Sequence, residues 1–273
     1  MKVCIFGSNG MLGTYVSSLL SRNNINVISV TRKEYDLSKI EIYTLKKLFI
    51  NLNLQKDDVI INCAGIIPQS SKQHEINNRL YFKINSIFPV ILSMICNQLG
   101  CKMIHVTTDC VFTGKKGNYN EDDLHDETND YGTSKSLGEL CDSTIIRTSI
   151  IGEELRNKRS LLEWVKSNAH CEINGYNNHY WNGVTCLQLS FIIKDIIENN
   201  KFWKGIRHIY SPRSVSKYEL VSMINKIYKL NINIKKYNTE NNIDKTITSK
   251  YEKIFNIPDL YVQIQEMKNF KLK

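Results

Sequence analysis

The residues whose types and spacing suit chemistry fall in three places. Tyr131 and Lys135 stand four apart in YGTSKSLGEL, so on a helix both side chains leave one face. An ammonium beside a phenol favours the phenolate and brings a tyrosine toward working pH, which makes it a usable general acid. Thr108 closes the apolar run CKMIHVTT, and its hydroxyl is placed to hold a substrate carbonyl near that phenol. Gly7, Gly10 and Gly13 follow a further apolar run, VCIF, and precede YVSSLLSR, which has helical spacing. Strand, glycine turn and helix in that order make an anion site. The chain turns sharply, a pyrophosphate approaches bare backbone, and the helix N-terminus offers N–H groups and a positive dipole end. Taken singly, the glycines also fit a tight βα turn, and a Tyr-x-x-x-Lys pair also fits a solvated helix face. Joined to Thr108-Asp109 at a strand end, they point to a dinucleotide-dependent site.

The elements that must position these groups alternate regularly. Strands are expected over 3–6, 25–31, 59–65, 101–108 and 143–151, with helices between them, including a long one over 74–99 that is interrupted or bent near Pro89. This pattern predicts an α/β fold, a Rossmann-type doubly wound parallel sheet. Ligands bind such sheets beyond the C-terminal ends of the strands, where Gly7, Arg32, Gly65, Thr108 and Ile150 lie. Past residue 152 the pattern is less regular, with helices in LLEWVKSN, LQLSFIIKDIIENN and KYELVSMINKIYK and a strand in IRHIYS. Residues 1–151 are therefore read as a dinucleotide-binding domain, and 152–273 mainly as a smaller substrate-binding lobe packed against it.

Composition excludes several classes. With 273 residues, 42% of them hydrophobic, the chain can build a core and is not a disordered protein. No apolar stretch approaches the ~20 residues of a membrane span, and no leader pattern is seen, so a cytoplasmic protein is expected, in the host cytosol if the source is a virus. Eight cysteines, none spaced as CxxC, suit reduced thiols. The six histidines show no HxxxH or HxH spacing, so no metal site is expected. The net charge of +9 is spread along the chain, which argues against nucleic-acid binding and would help attract a diphosphate.

On GxxGxxG (Gly7, Gly10, Gly13), NCAG (Asn62 to Gly65), Asn85 and YGTSK, the chain resembles the extended, sugar-nucleotide-modifying branch of the short-chain dehydrogenase/reductases. Within it, VTTDCVFTG, YNEDD, YGTSKSLGE and IIRTS are similar, in the same order, to the dTDP-4-dehydrorhamnose reductases. The similarity covers about the first 150 residues well and the remainder loosely. It implies reduction of the C4 keto group of a nucleotide-linked 4-keto-6-deoxyhexose. Tyr131 would protonate the oxygen, Lys135 would hold the cofactor ribose and tune the tyrosine, Thr108 would orient the carbonyl, and Asp109 would contact the sugar. Gly7, Gly10, Met11, Leu12, Gly13, Asp36, Leu37, Ala64, Gly65 and Ile66 match cofactor-contacting positions, and Tyr131 and Lys135 join them. Arg32 stands where NAD-preferring enzymes place an acid, so NADPH is expected, with NADH as the alternative.

The departures sharpen the expectation. Cys110 replaces a tyrosine, and Ile150 replaces a tryptophan that touches substrate in the family. HYWNGVT, residues 179–185, is similar to reductases of other nucleotide sugars, which suggests a UDP-linked substrate, 2-acetamido or not. Trp181 and Asn182 either line that sugar site or serve packing and a turn. Asp109 is followed by cysteine rather than glutamate, so the acid pair of a 4,6-dehydratase is incomplete. A C4 epimerase stays open, as does a non-catalytic regulatory subunit like the beta subunit of methionine adenosyltransferase. The resemblance also allows a homodimer.

Overall fold

Side chains of the first strand alternate between two apolar clusters: Val3 and Ile5 enter one, Cys4 and Phe6 the other. The split recurs at Val59 and Ile61 against Ile60. A strand that is apolar on both sides needs cover on both sides, which helices on the two faces of a parallel sheet provide. The computed structural model describes residues 1–68 and 78–272.

Five strands come from the first half: β1 Lys2–Phe6, β2 Asn26–Val30, β3 Val59–Asn62, β4 Lys102–Thr108 and β5 Thr144–Thr148. The helices between them are α1 Met11–Arg22, α2 Ile42–Asn51, α3 Asn78–Leu99 and α4 Asp130–Gly138. The second half adds β6 Ile150–Ile151, α5 Leu161–Ser167, β7 Glu172–Tyr176, β8 His179–Trp181, β9 Val184–Thr185 and α6 Cys186–Glu198. Beyond these come β10 Gly205–His208, β11 Val215–Ser216, α7 Lys217–Tyr228, β12 Asn233–Tyr237, β13 Ile243–Asp244 and α8 Leu260–Asn269. The main sheet runs β10-β5-β4-β3-β1-β2, and every pairing in it is parallel. The connections lead outward in opposite directions from β1 and β3, which makes a topological switch point between them.

Leu12, Val16 and Leu20 of α1 and Ile192, Ile193 and Ile196 of α6 cover one face. Leu45 and Phe49 of α2 and Phe88, Leu92 and Ile95 of α3 cover the other. Phe6 meets Phe88 with ring centroids 5.3 Å apart, and burying such a ring is worth roughly 1.5–3 kcal/mol. Helix α3 is, against expectation, long and apolar enough to cross a membrane by length and composition. Half of that stretch is buried against the sheet, the mark of a core helix. Its expected start at residue 74, with His74, lies outside the described residues.

Two further expectations are revised. The sheet takes its sixth strand, β10, from beyond residue 151, and α6 packs on α1, so the two halves share a core. The run 143–151 also splits at Ser149, where β6 leaves the main sheet to pair with β9.

Candidate active site

The glycines of the first turn are dictated by contact. A Cβ at Gly13 would stand 2.2 Å from the Gly7 carbonyl oxygen, so α1 closes onto β1 only without a side chain there. Gly7 itself has φ +76° and abuts the Ala64 backbone. Gly10 caps α1 without a side-chain hydrogen bond, so the first-turn N–H groups face whatever enters. Across the switch point, Asn62 shapes the turn after β3: its carbonyl accepts from Ala64 N at 3.1 Å and its amide donates to His105 Nδ1 at 3.1 Å. Burial holds that imidazole neutral, down at about 3.

A cleft of about 430 Å³ opens between these turns, lined by Gly10, Met11, Leu12, Ala64 and Gly65 on one side and by Thr108, Tyr131, Lys135 and Ile150 on the other. A hollow of about 190 Å³ continues to the end of β2, lined by Gly7, Arg32, Asp36, Leu37 and Ile66 together with the shared Gly10, Ala64 and Gly65. Arg32 is exposed there. The nearby Glu34 carboxylate is turned away, accepting from Thr31 N at 2.7 Å and Thr31 Oγ1 at 2.5 Å. Asp36 accepts from Ser38 N at 2.9 Å, and that bond holds its carboxyl below the usual range.

Helix α4 is held in place by its own sequence and by α3. Asn129 caps it, accepting from Gly132 N at 2.8 Å. Pro89 has no N–H for the carbonyl four residues back, that of Asn85, and α3 widens there into a π turn over Lys83–Ile87. Gly138 packs on that carbonyl, where a Cβ would come within 2.0 Å of the oxygen. The expected irregularity near Pro89 is therefore the place where α4 docks. The Asn85 side chain joins both sides: it accepts from Ile66 N at 2.9 Å and donates to Ile66 O at 3.0 Å and Ser134 Oγ at 3.1 Å.

Lys135 is buried, and burial lowers its ammonium to about 8. The Tyr131 phenol is hydrogen-bonded to Thr108 and is pushed up from its ordinary value by burial first and then by Cys110. This corrects the expectation that Lys135 lowers it, since the hydroxyl sits with Thr108, Cys110 and Asp109 instead. A phenol that stays protonated is an acid in waiting. Thr108 donates to Asp109 Oδ1 at 3.2 Å and accepts from Cys110 N at 3.1 Å. Asp109 is buried, and burial raises its carboxyl. The Cys110 thiol is pushed up to about 12, which leaves it inert.

Trp181 and Asn182 take the packing reading. Trp181 lies buried in the core on β8, opposite Val215. Both ends of the Asn182 amide are used by the Ile247 backbone, at 2.7 and 3.0 Å, so it ties down a later segment instead of meeting a sugar. HYWNGVT thus forms two strands and a turn. Sequence reasoning passed over residues 154–161, whose Glu154, Arg156 and Arg159 line the cleft; their place just after a strand end was the available signal. It also passed over Lys217, which only the folding of the second half brings to Asp109.

A profile of the family described as RmlD substrate binding domain matches residues 1–251. The spore coat polysaccharide biosynthesis protein SpsK of Bacillus subtilis is 30% identical over 155 residues, covering 54% of this chain and 52% of that one. The chain thus spans about half the length of that relative and of the dTDP-4-dehydrorhamnose reductases it matches. An uncharacterized protein, L780, of Acanthamoeba polyphaga mimivirus is 25% identical across 98% of this chain and 97% of its own. The fold is shared with Bacillus anthracis dTDP-4-dehydrorhamnose reductase, solved in complex with NADP, at a TM-score of 0.81 and 21% identity, covering 98% of this chain and 99% of that one. With the profile spanning all but its last residues, the chain belongs to the RmlD substrate binding domain family.

Proposed function

We propose that the protein uses NADPH to reduce the C4 keto group of a nucleotide-linked 4-keto-6-deoxyhexose, giving an activated deoxysugar for glycan synthesis. The observation that carries this reading is the meeting of Thr108, Tyr131 and Lys135 in one cleft with the dinucleotide turn. NADPH supplies the hydride when bound. The Tyr131 hydroxyl, already protonated, turns from Thr108 to the carbonyl oxygen and delivers its proton as C4 is reduced. Lys135, one turn along the same face of α4, then stabilises by its charge the phenolate that the turned side chain leaves. Arg32 at the end of β2, with the nearby acid Glu34 held by Thr31, suits a 2′-phosphate better than a free ribose hydroxyl.

The test is loss of nicotinamide absorbance with UDP- and dTDP-linked 4-keto-6-deoxyhexoses. Oxidation with one of them names the nucleotide. Tyr131→Phe is expected to lower turnover roughly 10²- to 10⁴-fold with NADPH binding unchanged. Tight NADPH binding without oxidation of any of these sugars would replace the reductase by the binding-subunit reading.

A further inference from the structure

A second hollow, of about 490 Å³, meets the cleft at Ile67, Cys110 and Tyr131, which line both. Among the described residues its charged walls are Glu127 and Asp130, around the start of α4, and Lys245 from the second half. The cleft holds the dinucleotide turn and so takes the cofactor, which leaves this hollow for the sugar. Lys245 is brought to it by backbone contacts that span the chain. Its N–H donates to Tyr180 O at 3.1 Å, Asp244 N donates to Gly114 O at 2.7 Å, and the Asn182 amide holds Ile247 just beyond. The lysine stem lies on Gly114, where a Cβ would stand 3.0 Å from Lys245 Cγ. Glu127 is fixed from the other side. Its Oε1 accepts from Thr128 N at 3.0 Å and Asn129 N at 3.4 Å, and its Cγ takes the space that a Cβ on Gly132 would need. Its Oε2 faces Lys245 Nζ at 3.8 Å. That separation makes an ion pair but is too long for a hydrogen bond. Among the described residues, no hydrogen bond reaches either atom, so three donors and an acceptor stay unused beside the hollow.

We propose that Lys245 and Glu127 are specificity residues for the reaction read above: together they grip one ring hydroxyl of the sugar. A hydroxyl donates to Oε2 and accepts from Nζ through a single oxygen, which fits at ordinary hydrogen-bond length from two atoms 3.8 Å apart. An acetamido group does not close the same gap, because the N–H and C=O of a trans amide point in opposite directions. In a nucleotide-linked 4-keto-6-deoxyhexose, C1 carries the nucleotide, C4 the ketone and C5 the methyl group. The hydroxyl gripped is therefore that of C2 or C3. Tyr131, at the junction of the two hollows, then meets the carbonyl from the cofactor side while the ion pair fixes the ring from the other.

The inference rests on the reductase reading and is tested apart from it, by calorimetric binding to the protein–NADPH complex, in which an alcohol has no oxidant. The probes are a UDP- or dTDP-linked 6-deoxyhexose, the product alcohol, and its 2-deoxy and 3-deoxy analogues. Wild type is expected to bind at least one analogue roughly 10- to 100-fold more weakly than the parent, the range for hydrogen bonds to charged groups. Lys245→Met should bind that analogue and the parent alike while holding NADPH as wild type does. Should Lys245→Met fail to fold, Glu127→Gln carries the comparison and is expected to weaken the same preference. Wild type that shows no preference, or a loss of equal size on all three sugars in the variant, overturns the inference. So does a 2-acetamido sugar that binds as tightly as the parent where the 2-deoxy analogue does not. Reduction of a 4-keto sugar without any such preference leaves the reductase reading standing and the inference fallen; preference without reduction does the reverse.

Discussion

Two buried cations on neighbouring elements are treated in opposite ways. Arg147, on β5, is fully buried and spends four of its five donors: Nε to Glu139 Oε1 at 3.0 Å, Nη2 to Glu139 Oε2 at 2.5 Å and His125 Nε2 at 2.6 Å, Nη1 to His208 Nε2 at 2.9 Å. Because a guanidinium only donates, both imidazoles accept through Nε2 and carry their proton on Nδ1. There His125 meets Ser136 Oγ at 2.5 Å and His208 donates to Thr248 O at 2.6 Å. Lys135, one helical turn before Glu139, is buried as well, yet no hydrogen bond reaches its ammonium among the described residues. The first network locks α4 to β5, β10 and the segment near residue 248. The second cation has no such partners. The contrast teaches that burial alone does not mark a functional charge; burial without partners does.

Removing each cation should therefore change stability in opposite directions. Arg147→Leu strands the buried Glu139 carboxylate and is expected to destabilise the protein by about 3–5 kcal/mol in urea unfolding. Arg147→Leu with Glu139→Leu should recover much of that loss, because the pair then leaves no uncompensated charge. Lys135→Met should do the reverse. The ammonium titrates at about 8 in the fold against 10.5 when free, so charging it at pH 7 costs about 3 kcal/mol. Lys135→Met is expected to regain most of this while losing turnover. The linked sign is that the Lys135 contribution to stability rises with pH between about 8 and 10.5, where the unfolded chain keeps a proton the fold has lost. Destabilisation by Lys135→Met would erase the contrast.

How much of this was legible beforehand follows the physics of each signal. β1, α1 and the glycine turn were readable because apolar alternation, helical spacing and close backbone contact all act within fifteen residues. Tyr131 and Lys135 were readable as a pair, since a helix fixes what lies four apart. What surrounds them was not. The rise of the Tyr131 pKa comes from burial first and then from Cys110, which belongs to another strand end, while Thr108 opposes it. β8 and β9 were missed because HYWNGVT is too short and mixed for a period to show. Their strand character comes from pairing with β11 and β6 and from the burial of Trp181. Asn182 looked like a site residue for the reason that makes it a good tether: an amide bonds a backbone N–H and C=O together. The Arg147 network was unreadable because its members come from four separate stretches.

The smallest effect separates the two regions by pH. His125 and His208 are both held below the ordinary 6.5 by burial. Arg147 adds to this at both, while Glu139 opposes it at both and Glu121 at His208. Unfolding lets each imidazole take up a proton that the fold refuses, so the stability they allow is fully present above pH 6.5 and falls as pH drops below it. The slope is at most about 1.4 kcal/mol per pH unit for each ring. Lys135 is charged in both states over that range and contributes nothing to it. The Arg147 network should then contribute to the acid limb of a stability-against-pH curve, beside the buried His105, and Lys135 only to the alkaline limb. His208→Gln, whose side-chain oxygen still accepts from Arg147, is expected to flatten the acid limb and leave the alkaline one; Lys135→Met should do the converse. If His208→Gln leaves the acid limb unchanged, the neutral imidazoles are not what the guanidinium requires. The two cations would then differ in geometry alone.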